Sequence, residues 1–128
     1  MPETEKITIN MSAVDLGKVD LLVQEGLYSN RTDFIRTAIR NTLDKHNVEI
    51  QQSVVRHSFV IGMLIYDRTE FEKMKNSGKK LDINIIGMLN LNSNISPELA
   101  DQVVGSIQVR GIFQASDEVK KVLAGRMK

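Results

Sequence analysis

Lys6, Thr8 and Asn10 alternate with Ile7, Ile9 and Met11. Any extended segment carrying them has an ammonium, a hydroxyl and an amide on one side and three apolar side chains on the other. Such a polar row suits recognition of a surface, not the breaking of a bond. A second polar cluster, Ser29, Asn30, Arg31 and Thr32, holds residue types that cap helices and favour a helix start. Reactive constellations are missing elsewhere. Cysteine is absent, and His46 and His57 are the only histidines and have no i+4 partner, so no transition-metal site and no cofactor is expected. The acidic residues are scattered, no Gly-rich loop follows a strand pattern, and no Ser, His and Asp set stands out, so the chain reads as a non-enzyme without catalytic residues.

The elements that must position these residues follow from periodicity. Residues 5 to 11 alternate as a half-buried strand does. Ser12 can cap a helix beginning near Ala13, with Asp15 placed to reach back as in a capping box. Leu16, Val19, Leu22 and Val23 keep helical spacing, and Gly26 is placed to end that helix in the left-handed conformation. Asn30 or Ser29 then caps a second helix, with Asp33 in its first turn and Phe34, Ile35, Ala38, Ile39 and Leu43 forming an apolar stripe, to about His46. A strand and two helices within about forty residues cannot bury a core alone. Dimerisation solves this: two strands pair as an antiparallel ribbon, with Ile7, Ile9, Met11, Ile35 and Ile39 as the dimer core. Lys6, Thr8 and Asn10 then face outward on a ribbon of the width that fits a DNA major groove.

The run KITINMSAVDLGKVDLLVQEGLYSNRTDFIRTAIRNTL resembles the ribbon-helix-helix family of CopG-like DNA-binding proteins in its order of strand, Ser-capped helix, Gly turn and second helix start. The resemblance covers about a third of the chain. It implies that Lys6, Thr8 and Asn10 contact base edges, for which an ammonium suits guanine, an amide adenine and a hydroxyl either. It also implies that the helix start at Ser29, Asn30, Arg31 and Thr32 anchors a phosphate. The implied partners are double-stranded DNA and a second copy of the chain. Charge adds little: residues 1 to 47 hold six basic against seven acidic side chains, and residues 48 to 128 eleven against nine. Base contacts and paired dimers, more than bulk electrostatics, are expected to provide affinity.

Beyond His46, NVEIQQSVVRH contains no Gly or Pro and reads as a helix extension or a linker. Ile61-Gly62-Met63-Leu64, Ile86-Gly87-Met88-Leu89 and Arg110-Gly111-Ile112-Phe113 then form an internal repeat at spacings of 25 and 24. Each copy sits in a strand-like stretch. The first, Phe59 to Tyr66, is apolar on both faces and predicts a central or doubly covered strand. In the other two, glycine falls on the apolar face, which suggests close approach of another backbone. Helix starts follow at Asp67, Ser96-Pro97 and Ser116-Asp117. Such units predict a short solenoid-like stack or a small open sheet with helices on one side.

The expected fold is α+β. A ribbon-helix-helix dimerisation module spans residues 1–47, a linker or helix extension residues 48–56, and a small C-terminal α/β domain of three strand-helix repeats residues 57–128. The last would serve oligomerisation, with uncovered strand edges closed by another subunit, or bind an effector. The function expected is a dimeric, sequence-specific repressor, with tetramers or higher assemblies open. The alternative is an antitoxin-type or assembly protein with a protein partner for the C-terminal half. The N-terminus lacks a signal-peptide pattern and FVIGMLIY is too short to span a bilayer. A cytoplasmic protein without membrane contact is therefore expected.

Overall fold

The computed structural model describes residues 4–128. Residues 1–3 of the expected N-terminal module lie outside the described residues. The chain divides into two compact units, one of Lys6–Ser53 and one that contains Val54–Lys128.

In the first unit, α1 (Ala13–Gln24) and α2 (Arg31–Lys45) form a helical hairpin, and most of α3 (Asn47–His57) follows. Helix α1 starts where Ser12 accepts a hydrogen bond from the Asp15 N–H at 3.1 Å. It ends at Gly26, φ +83°. There the Gly26 N–H bonds the Val23 carbonyl and the Leu27 N–H bonds the Leu22 carbonyl, the paired closure that a left-handed residue permits. Tyr28 and Phe34 meet edge to face at 5.1 Å across the turn. The NVEIQQSVVRH segment is the helix α3, separated from α2 by a break at His46. Residues 4–12 carry no strand in this single chain. A ladder needs a second strand, and the described residues of this unit supply none.

The second unit is a parallel sheet in the order β1-β2-β3, from β1 (Val60–Tyr66), β2 (Leu81–Leu91) and β3 (Val104–Gln114). The strands alternate with α4 (Arg68–Asn76), α5 (Pro97–Val103) and α6 (Asp117–Leu123). Each helix starts at an expected residue. Asp67 and Glu70 make a reciprocal capping box on α4, while Ser96 caps α5 and Ser116 caps α6. Ile83, Ile85, Leu89 and Leu91 of β2 and Ile107 of β3 form one core with Phe71 of α4, Leu99, Ala100 and Val103 of α5, and Val119 and Leu123 of α6. The three helices therefore cover one sheet face, which is the open-sheet form of the two expected.

The sequence repeat is a register. Gly62 pairs with Gly87, Gly87 with Gly111, and the flanking residues of the three copies align beside them. The three glycines have φ of +139°, +138° and +130°. A Cβ on Gly87 would stand 1.9 Å from the Gly62 carbonyl oxygen, and one on Gly111 2.1 Å from that of Gly87. Side chains at these two places would collide with the neighbouring strand's backbone, the close approach that glycine on an apolar face announces.

One expectation is corrected. Strand β1 is neither central nor doubly covered; it is an edge strand with β2 alone beside it. Its residues Ile61, Met63 and Ile65, on the face away from the helices, are 57%, 50% and 59% exposed. Apolar side chains on both faces of a strand record a need for cover, and in this single chain the second cover is missing.

Candidate nucleic-acid interface

The polar row is on the surface, with Lys6, Thr8 and Asn10 all exposed. The apolar row opposite is bare too: Ile7 is 73% and Ile9 60% exposed. Both belong to a hollow of about 440 Å³ completed by Ile35 and Ile39 of α2, with Lys6, Thr32 and Arg36 also lining it. Four of the five residues expected in a dimer core thus surround one concave surface. Met11, the fifth, is exposed and is not part of that lining. A second apolar hollow of about 330 Å³ runs along α2 at Ala38, Ile39, Thr42 and Leu43. Among the described residues of this unit only Val19 is fully buried. So small an interior cannot offset the entropy of ordering the segment, and the hollows are where further burial has to occur.

The helix start at Asn30 is built in detail. Its side-chain oxygen accepts the Asp33 N–H at 2.8 Å, and an Asp33 carboxylate oxygen accepts the Ser29 N–H at 2.9 Å. The N–H groups of Arg31 and Thr32 stand in the first turn, where no carbonyl of their own helix can reach them. The Arg31 guanidinium grips the Asp20 carboxylate of α1 with a fork of two bonds, Nε to Oδ1 at 2.8 Å and Nη2 to Oδ2 at 2.9 Å. Those hydrogen bonds hold the Asp20 carboxyl below, and raise Arg31 above, their ordinary values. Sequence reasoning missed this pair. Eleven residues separate the partners, and only the closing of the α1–α2 hairpin brings them together.

The two histidines hold peripheral places. His46 caps the end of α2, with Nδ1 3.9 Å from a Glu49 carboxylate oxygen, and the His57 ring lies edge-on to Phe59. Among the described residues no group of three potential ligands could hold a metal ion, and no helix is long and apolar enough to cross a membrane. In the second unit, a cleft of about 370 Å³ opens at the carboxyl ends of β2 and β3, lined by Asn90, Asn92, Ser93, Gln114 and Ser116 among others. Nearby Tyr66 packs on Phe71 at 5.7 Å, and burial, then the charge of Glu70, pushes its phenol above the ordinary value.

A model of the ribbon-helix-helix transcriptional regulator family matches residues 2–120. The chain belongs to that family. The match runs through the sheet unit as well as the helical hairpin, so the kinship is wider than the N-terminal third that carries the motif. Membership brings DNA binding, transcription regulation and dimerisation, and places the chain in a family of regulators. No curated protein and no solved structure matches the chain.

Proposed function

We propose that the protein is a dimeric repressor that reads a specific DNA sequence through a two-stranded ribbon. The observation that carries this reading is the bare Ile7 and Ile9 beside a hollow formed with Ile35 and Ile39. A second chain's ribbon is of the right shape and chemistry to fill it, and the pairing leaves Lys6, Thr8 and Asn10 of both chains outward. In that role the three reach base edges in the major groove. The Arg31 and Thr32 N–H groups, at the positive end of α2, take a backbone phosphate and fix the register, with Ser29 and Asn30 shaping the turn. The Arg31 guanidinium, engaged with Asp20, contributes positioning before charge.

The C-terminal unit is assigned to assembly or to effector binding in the cytoplasm, with residues 1–47 as the DNA-binding module. The cleft at the ends of β2 and β3 supports the effector role, because small molecules bind open α/β sheets at that end. Repression follows from occupancy: a dimer in the groove excludes other proteins from its site.

The test is fluorescence anisotropy with duplexes selected from a random DNA pool. Thr8→Ala and Asn10→Ala should each weaken binding to the selected site by about 1–3 kcal/mol and relax discrimination at one base position. Binding indifferent to sequence, or to both substitutions, would sink the proposal. A reporter downstream of the selected site should fall in expression when the chain is present.

A further inference from the structure

The two edges of the sheet are treated differently. Beside β3, Met127 makes a parallel bridge with Ile107, and the Lys128 N–H donates to the Ile107 carbonyl at 2.8 Å. That edge also carries Ser106, Gln108 and Arg110. Strand β1 has none of the usual guards of a free edge, which are charge, proline or a covering segment. Instead it exposes Ile61, Met63 and Ile65 together, and beside them on the same face stand Ile86 and the buried Met88 of β2, then Ile112 of β3 next to Met88 and Arg110 next to Ile86.

We infer that the uncovered β1 side of the sheet is a contact surface for a second copy of the same sheet, related by a two-fold axis. Three observations select this occupant. Around a two-fold axis each group near the centre meets its own copy, so a self-docking surface must avoid charge there. The Ile61, Met63 and Ile65 row has no charged neighbour on β1. The open face carries Asp82 at the start of β2, engaged by the Ser106 hydroxyl at 2.8 Å, and Arg110 on β3. Second, the family dimerises, so a second sheet is tethered nearby at an effective concentration on the order of millimolar for short connections. A modest apolar contact then suffices. Third, the β3 edge is bridged from within the chain at Ile107 and carries Ser106, Gln108 and Arg110, which leaves β1 as the one unguarded, isologous contact that stops at a closed assembly instead of growing into a filament.

This inference rests on the reading of the C-terminal unit as an assembly domain. Because the chain has no cysteine, Met63→Cys in the full-length protein provides a direct probe. Mild oxidation should link two chains through position 63, while Lys121→Cys, exposed on α6, should stay unlinked. Met63→Lys should convert a tetramer to a dimer by light scattering. If both contacts join the same two chains, it should instead weaken the dimer by about tenfold or more. An unchanged mass and dissociation constant with Met63→Lys, or no cross-link with Met63→Cys, overturns the inference and leaves the face to a different protein. Where Met63→Lys fails to fold by circular dichroism, the cross-link alone decides. Anisotropy on the selected duplex separates the two readings. Loss of the cross-link with DNA binding intact sinks only this surface, while an intact cross-link without DNA binding sinks the repressor.

Discussion

At Gly62, Gly87 and Gly111 the same residue serves two needs of different size. All three adopt a backbone conformation that side chains rarely take, which costs a substituted residue about 1–3 kcal/mol. Gly62 has open space where a Cβ would stand, so Gly62→Ala should lose roughly that amount and no more. Gly87→Ala adds a collision with the Gly62 carbonyl, a backbone atom that cannot rotate away, and should cost more than about 3 kcal/mol or prevent folding. Urea denaturation of the two variants checks this, and equal losses would refute the interlocked row. Phe71, wholly buried under the sheet, sets the scale for an ordinary core position: Phe71→Ala should cost about 3–5 kcal/mol. The glycine row was legible because its repeat spacing places like residues side by side. That each φ is positive was not, since several backbone conformations satisfy the same spacing.

Among the elements, the start of α2 has two tasks that one substitution separates. Asn30→Ala removes the cap and should cost about 1 kcal/mol of stability as well as DNA affinity. Asp20→Asn leaves the cap and releases the Arg31 guanidinium. A freed cation beside the proposed phosphate site should steepen the fall of log affinity with log salt by about one. An unchanged slope would mean that Arg31 already contacts DNA or lies far from it. The pH dependence follows from the direction of the shift. Asp20 titrates below its ordinary value, so the pair is intact at neutral pH and is lost only as pH falls through that lowered value. Affinity measured from about pH 6 to 8 should therefore be flat with respect to this pair. The caps were legible because Ser12, Asn30, Asp67, Ser96 and Ser116 act within three residues of themselves in sequence. The Asp20 to Arg31 fork was not, because nothing local joins them.

For the molecule as a whole, the unequal interiors of the two units predict unequal dependence on concentration. The sheet unit has a core of its own, whereas Lys6–Ser53 buries little more than Val19. Melting of the α1 and α2 helices should rise with protein concentration by mass action. Ile39→Asp, which places a charge in the hollow shared with Ile7 and Ile9, should abolish that dependence together with DNA binding while the sheet remains folded. Far-ultraviolet circular dichroism across a concentration series, with sizing, measures both. A transition independent of concentration in the unaltered chain would argue against the shared core.

The sequence by itself determined every helix but α3, the caps, the Gly26 closure, the alternating row at residues 5 to 11 and the repeat. All of these are local patterns or self-similarity, set by backbone geometry within a few residues or by a constant spacing. Tertiary structure decided the rest: that the repeats lie in one parallel sheet with all helices on one side, that Arg31 is held by Asp20, and that β1 stands at an edge. A strand apolar on both faces states only that something must cover it. Whether the cover is a neighbouring strand, a helix or another molecule depends on the order in which strands join. That order is fixed by packing between residues distant in the chain.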